Sequence, residues 1–257
     1  MKYSINWLGF YTLFVKEVWR FWKVATQTVL APVLNVLLYL IVFTSALSQH
    51  VEIYPNINYT VFLLPGLIML AILQNAFANS SSSLFQAKQN AGIIFVLLAP
   101  ISSLEFYLAF IGAAIVRGLL VGVGVWISVI LFIDLPFHNI GLAFFFAIIA
   151  SGLLGAFGLV SAIYSDKWDH IAAFQNFIIL PLTFLSGVFY LIRDLPPFWA
   201  KLSYFNPFFY LIDGFRYSFL GVSDVNLTIS IVFSSIAFIA MSIFTVWLLE
   251  TGYKLRG

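Results

Sequence analysis

Long uninterrupted apolar runs dominate this chain, and runs of that kind fit only a bilayer. A helix needs ~20 apolar residues to cross the ~30 Å hydrocarbon core. Six stretches reach that length, at about 25–47, 60–82, 104–131, 140–164, 171–191 and 227–249. Hydrophobic residues make up 62% of the sequence and charged residues 9%, against about 25% charged in soluble chains. In lipid every backbone polar group needs an internal partner, which a helix supplies. The alternating segments of ~10 residues that mark a membrane barrel are absent. The expected fold is therefore an all-α membrane protein with six transmembrane helices. Residues 1–257 would form a single transmembrane domain, with no room for a sizeable soluble one.

Basic residues set the expected orientation. Lys2, Lys16, Arg20, Lys23, Lys88, Lys167, Lys254 and Arg256 fall on one side of the six runs, and Arg193, Lys201 and Arg216 on the other. This places both termini in the cytoplasm and turns the loops holding His50, Glu52, Asp134 and His138 outward. The basic cluster ahead of the first run, with no small-residue cleavage site after a short core, predicts an anchor and not a cleaved leader.

Four segments do more than span. In residues 1–24, Leu8, Tyr11, Val15, Val18, Trp19 and Trp22 recur at helical spacing, while Lys16, Arg20 and Lys23 cluster on another face. This predicts an amphipathic helix in the interface, serving as an anchor for the first span or as a lever to a partner. In residues 84–103, the apolar part from Ala91 to Ile101 is too short to cross and stops at Pro100. It predicts either an interfacial loop or a short helix that docks on a soluble protein.

Polar stripes inside the spans form the third segment. Gln74, Asn75, Asn79, Ser82 and Ser83 lie on the second run, Gln27 and Asn35 on the first, and Gln175, Asn176 and Thr183 on the fifth. In lipid such groups turn toward protein or water, as interhelical hydrogen bonds or as the lining of a path. Arg117 lies deep in the third run with no obvious intramembrane carboxylate to pair with it, and is read as a buried structural or gating contact. Gly118 and Gly122, and Ser151, Gly152, Gly155 and Gly158 on the fourth run, offer small surfaces for close helix approach. The fourth segment, 195–221, is broken by Pro196, Pro197 and Pro207 and crowded with aromatics. It predicts two short helices that dip into the outer leaflet and return, with Asp213 and Arg216 spaced i, i+3 to pair on one face.

Other chemistries are excluded. There is no GxxxxGK[ST] phosphate loop and no HExxH metal pattern. With zero cysteines, disulfides and thiolate sites are ruled out. No basic tract supports a nucleic-acid partner. No carboxylate stands at a span centre, as an ion-coupled carrier usually requires.

The order and spacing of these features resemble the membrane subunit of type 2 ABC exporters over nearly the whole chain. The resemblance rests on Leu97-Leu98-Ala99-Pro100-Ile101-Ser102 after the second span and on the Arg117-Gly118 pair. It rests most specifically on the run from Pro181 through Tyr190, Leu195-Pro196-Pro197-Phe198-Trp199 and Asn206-Pro207 to Tyr210, Asp213, Gly214, Phe215 and Arg216. It implies a permease in the bacterial cytoplasmic membrane, acting as a homodimer with two copies of a separately encoded cytoplasmic ATPase. ATP and Mg would sit on that ATPase, with no cofactor on this chain. Gln86, Lys88, Gln89, Ile94, Leu97 and Pro100 would belong to the coupling segment, although many relatives carry acidic residues where Gln86, Lys88, Gln89 and Asn90 stand. Asn35, Asn75, Asn79, Gln175, Asn176 and Thr183 would line the substrate path. Arg117, Asn206, Pro207, Tyr210, Asp213 and Arg216 would form the outer hairpin or gate. The expected function is ATP-driven export of an amphipathic or lipid-linked cargo. The alternative is a channel or ion-coupled carrier that needs no ATPase.

Overall fold

The computed structural model describes residues 6–46, 52–54, 57–90 and 92–254, and the fold is 81% helical. Eleven α-helices follow in order: α1 (Trp7–Trp22), α2 (Ala25–Ala46), α3 (Tyr59–Gln89), α4 (Gly92–Leu98), α5 (Ser103–Ile130), α6 (Ile140–Tyr164), α7 (Trp168–Phe174), α8 (Leu180–Phe184), α9 (Pro197–Tyr204), α10 (Pro207–Leu220) and α11 (Leu227–Thr251). A small antiparallel pair, β1 (Glu52–Tyr54) and β2 (Ile57–Asn58), precedes α3. Among the described residues, five helices are long and apolar enough to cross a membrane: α2, α3, α5, α6 and α11.

The fifth expected span, 171–191, takes another form. The chain there is α7, a π-helical turn over Gln175–Ile179, then α8, and it leaves the helix at Leu185. Pro181 supplies the reason. It has no N–H to donate and its ring crowds the carbonyl four residues back. Widening the preceding turn relieves that clash, and the N–H of Leu180 donates to the carbonyl of Gln175, five residues back, as in a π-bulge.

α3 is the axis of the bundle. Its 31 residues reach about 46 Å at 1.5 Å per residue, and it is buried along most of its length. It therefore runs past the expected end at 82. Residues 84–89, expected to open the coupling segment, are its last turns, and α4 is the short helix that remains. α6 packs against α3 so closely that a Cβ on Gly158 would stand 2.6 Å from the Phe77 carbonyl oxygen. The small residues of the fourth run are thus the seam of the bundle, as their spacing predicts. α2 and α11 sit at the edge and keep broad apolar faces exposed, such as Leu30, Leu34, Leu38 and Ile41 on α2.

Side-chain caps fix the starts of α5 and α6, at Ser102 and Asn139. The motif ending in Pro100-Ile101-Ser102 is a helix stop followed by a helix start. The N–H of Glu105 donates to the Ser102 hydroxyl (3.2 Å), and the Glu105 carboxylate accepts the Ser102 N–H at 2.7 Å. This capping box was present in the sequence as S-x-x-E. The other Glu105 oxygen accepts the N–H of Asn6, and the Asn6 amide donates to the carbonyl of Pro100 (3.0 Å). The start of α1 is thereby tied to the α4–α5 junction.

Candidate functional site

A cavity of about 450 Å³ opens beside α3, between α2, Arg117 of α5 and the π-turn. Gln27, Asn35, Gln74, Asn75 and Gln175 line it, together with Arg117 and apolar residues of α2 and α3. The bulged π-turn aims Gln175 into this space. The polar stripes of three separate sequence runs therefore converge on one cavity. Three of the six expected path residues, Asn35, Asn75 and Gln175, stand in its wall.

The other three do not. Asn79 is fully buried behind the wall, its side-chain oxygen accepting from Arg20 at 3.0 Å. Thr183 is buried and donates back to the Ile179 carbonyl (2.8 Å). Asn176 is exposed outside the lining.

Arg117 is the cavity's one cation. Its Nη2 donates to the side-chain oxygen of Asn75 at 3.1 Å, while the Asn75 amide donates to the Ala71 carbonyl (3.0 Å). The Nε of Arg117 is buried without a partner. Among the described residues, no Asp or Glu lines the space.

Sequence reasoning missed a charged cluster at the foot of the cavity. Glu17 of α1 is fully buried. It accepts from Lys16 (3.1 Å), from Arg20 (3.4 Å) and from the Ser83 hydroxyl. Arg20 also donates to the Asn79 carbonyl (2.7 Å) and the Ser82 hydroxyl (3.2 Å). Of the basic cluster on α1, Arg20 thus turns inward, beside the Leu13, Glu17 and Phe21 face that packs on the bundle. The i, i+4, i+8 spacing of those three was the available signal.

At the same end of the bundle, the coupling-segment residues divide. Ile94 is exposed on α4, beside the exposed Phe95 and Leu98. Gln86 is exposed on the last turns of α3. The side chain of Leu97 lies outside the described residues, as does Ala91. Lys88 caps α6: its Nζ donates to the carbonyls of Ala162, Ile163 and Ser165 at 2.9–3.0 Å. Gln89 reaches the Asp166 carbonyl (3.1 Å). Lys254 completes the cap on Tyr164 and bonds the Asp166 carboxylate at 2.9 Å, which holds that carboxyl below the usual range. Between α1 and α4 a groove of about 420 Å³ is walled by Leu8, Thr12, Phe95 and Ile101.

At the opposite end, α9 and α10 form the two short helices expected over 195–221. Pro207 occupies the first turn of α10. Asn206 caps it, accepting the N–H of Phe208 (3.0 Å) and donating to the Leu182 carbonyl (2.6 Å). The hydroxyl of Tyr210 donates to the Tyr204 carbonyl (2.8 Å), and its ring stacks on Phe233.

The expected Asp213–Arg216 pair is not made. Arg216 is buried, donates to the Gly187 carbonyl (2.7 Å), and lies 3.9 Å from the centre of the Phe62 ring. Asp213 instead accepts the N–H of Asp224 (2.7 Å) and the hydroxyl of Ser230 (3.4 Å). Each finds partners across the fold that the i, i+3 spacing does not reveal. Asp224 in turn accepts from the Tyr54 phenol (2.6 Å) and the Ile192 N–H (3.3 Å). Burial and that bond push the Tyr54 phenol up.

The family model described as ABC-2 type transporter matches residues 9–220. The chain is 33% identical over 253 residues to "Inner membrane transport permease YadH" of Escherichia coli (strain K12), covering 98% of this chain and 99% of that protein. It is 24% identical over 237 residues to "Nodulation protein J" of Rhizobium leguminosarum bv. viciae, covering 89% and 87%. It is 22% identical over 180 residues to "Probable multidrug ABC transporter permease YbhR" of Escherichia coli (strain K12), covering 67% of this chain and 47% of that protein.

Proposed function

The chain belongs to the ABC-2 type transporter family as a membrane permease, and from that premise we propose that it exports an amphipathic or lipid-linked cargo across the bacterial cytoplasmic membrane. It does so as a homodimer clasped by two copies of a cytoplasmic ATPase, which holds the ATP and Mg. Both termini face the cytoplasm. α7, the π-turn and α8 make the sixth crossing, and α9 and α10 form a re-entrant hairpin at the outer face. Residues 84–103 couple to the ATPase, with the exposed apolar side of α4 seated on it. Residues 1–257 act as one transmembrane domain.

The cavity between α2, α3, α5 and the π-turn carries this reading. It gathers polar side chains from three spans onto one open face of an otherwise apolar bundle, and carboxamides at membrane depth are costly unless they meet water, protein or a ligand. Amphipathic cargo fits such a wall, which is part polar and part aliphatic. ATP binding to the partner biases two arrangements of the spans around this space, as a ligand shifts any two-state equilibrium.

The test is reconstitution of the chain with its ATPase in vesicles, following ATP-dependent movement of a fluorescent amphiphile. Asn35→Trp and Gln175→Trp, both at exposed positions, should fill the cavity and abolish transport while leaving the complex assembled. Gradient-driven movement by the chain alone would replace this reading with an ATPase-independent channel or carrier.

A further inference from the structure

The cavity has a sign. Among the described residues, its lining contains one charged group, the Arg117 guanidinium, and no carboxylate. A guanidinium has five N–H donors in a planar fork. Here it meets one protein acceptor, the Asn75 oxygen, and its Nε has none. Arginine at such depth is costly and ordinarily sits against a partner or water.

Nearby charge adds to the imbalance. Arg20 is an electrostatic neighbour of Arg117. The carboxylate nearest Arg20 is Glu17, which is already held by Lys16, Arg20 and Ser83. The remaining polar wall is made of carboxamides, whose NH2 groups can donate alongside the guanidinium.

From these observations we propose that Arg117 recognises the anionic head of an amphiphilic cargo. A phosphate or carboxylate would accept two N–H bonds from the fork, with carboxamides such as Gln27, Asn35, Gln74 and Gln175 completing the shell. The apolar tail lies along the aliphatic wall of α2 and α3. A cationic head is repelled. This rests on the cavity being the cargo path, and adds the charge of what travels through it.

The experiment uses the full chain in nanodiscs of zwitterionic lipid. Radiolabelled dodecyl phosphate retained above empty nanodiscs is competed with unlabelled dodecyl phosphate, dodecyl maltoside, dodecyltrimethylammonium and inorganic phosphate. Dodecyl phosphate should compete at least tenfold better than the maltoside, and the ammonium not at all. Arg117→Gln should erase the tenfold preference and Arg117→Lys should keep part of it. Should a variant fail to fold, the head-group series on the unaltered chain decides alone.

Equal competition by all three dodecyl heads, or an unchanged preference in folded Arg117→Gln, overturns the proposal and leaves the path intact. Inorganic phosphate competing as well as dodecyl phosphate overturns the amphiphile and makes a free anion the ligand. If no dodecyl compound is retained and Gln175→Trp changes nothing, the path reading itself fails.

Discussion

Arg216 and Arg117 are both arginines held inside an apolar bundle, each with an Nε that meets no acceptor, and they differ in what surrounds the rest of the guanidinium. Arg216 is 1% exposed. It donates to the Gly187 carbonyl, lies over the Phe62 ring, and has Asp213, Asp224 and Tyr54 as electrostatic neighbours. Through those contacts it joins α10, α3 and the turn that follows α8. Arg117 is only partly buried, meets one carboxamide, and borders open space. One charge is spent on holding the fold, and the other is left available. Depth in the bundle therefore does not identify a functional charge. Whether it is met by opposite charge or borders open space does.

The comparison breaks first, and most severely, at Arg216. Arg216→Ala removes the positive charge nearest the buried Asp213 and the half-buried Asp224, and the partner of the Gly187 carbonyl. Leaving a buried carboxylate such as Asp213 without a compensating charge costs about 3–5 kcal/mol. The expected outcome is a large drop in the unfolding midpoint in detergent, together with new protease cleavage within 195–221. Unchanged resistance there would show that α9 and α10 are held without Arg216.

Glu17 sharpens the comparison from the other end of the bundle. Glu17→Gln leaves Lys16 and Arg20 without their carboxylate and weakens the bond from Ser83. Loss of a buried hydrogen-bonding partner costs about 1–3 kcal/mol. Because α1 is tied to α3 through this cluster, the damage should be local. The chain has no cysteine of its own, so a single cysteine at the buried Phe21 reports on it. Labelling there should accelerate in Glu17→Gln while residues 195–221 keep their protease resistance. Equal loosening at both ends would mean that the two clusters are not independent.

These contrasts mark how far the sequence was legible. Length and hydropathy announced the helices that become α2, α3, α5, α6 and α11, because the bilayer imposes a length on any apolar run. The small-residue seam of α6 was visible in its spacing, since close helix approach permits few residue types. The polar stripes announced the cavity only in part. A stripe fixes a face of one helix, and that face meets either another helix or a space. Asn75 and Asn79 are one turn apart on the same stripe, yet one faces the cavity and the other meets Arg20 of α1. The charges were least legible. Lys88, Glu17, Asp213 and Arg216 all find partners on other elements, and no rule of near-neighbour spacing encodes contacts between residues 11 to 77 positions apart. The break at Pro181 was written in the sequence, since proline inside a helix removes a donor. The width of the π-turn that compensates for it was not.

The smallest expected effect on stability is at Arg117, and it tests the comparison most closely. A half-buried cation with one amide partner carries a desolvation penalty that its single hydrogen bond does not recover, so replacing it by an apolar side chain of similar length should cost little or even stabilise. Arg117→Met should therefore move the unfolding free energy by no more than about 1 kcal/mol in either direction, the usual net worth of one hydrogen bond. The Asn75 oxygen freed by the change borders the cavity, where water can reach it. The measurement is chemical unfolding in detergent, beside Arg216→Ala under the same conditions. If Arg117→Met proves as damaging as Arg216→Ala, then the guanidinium is holding helices together, the two arginines do the same work, and an open charge in the cavity no longer follows.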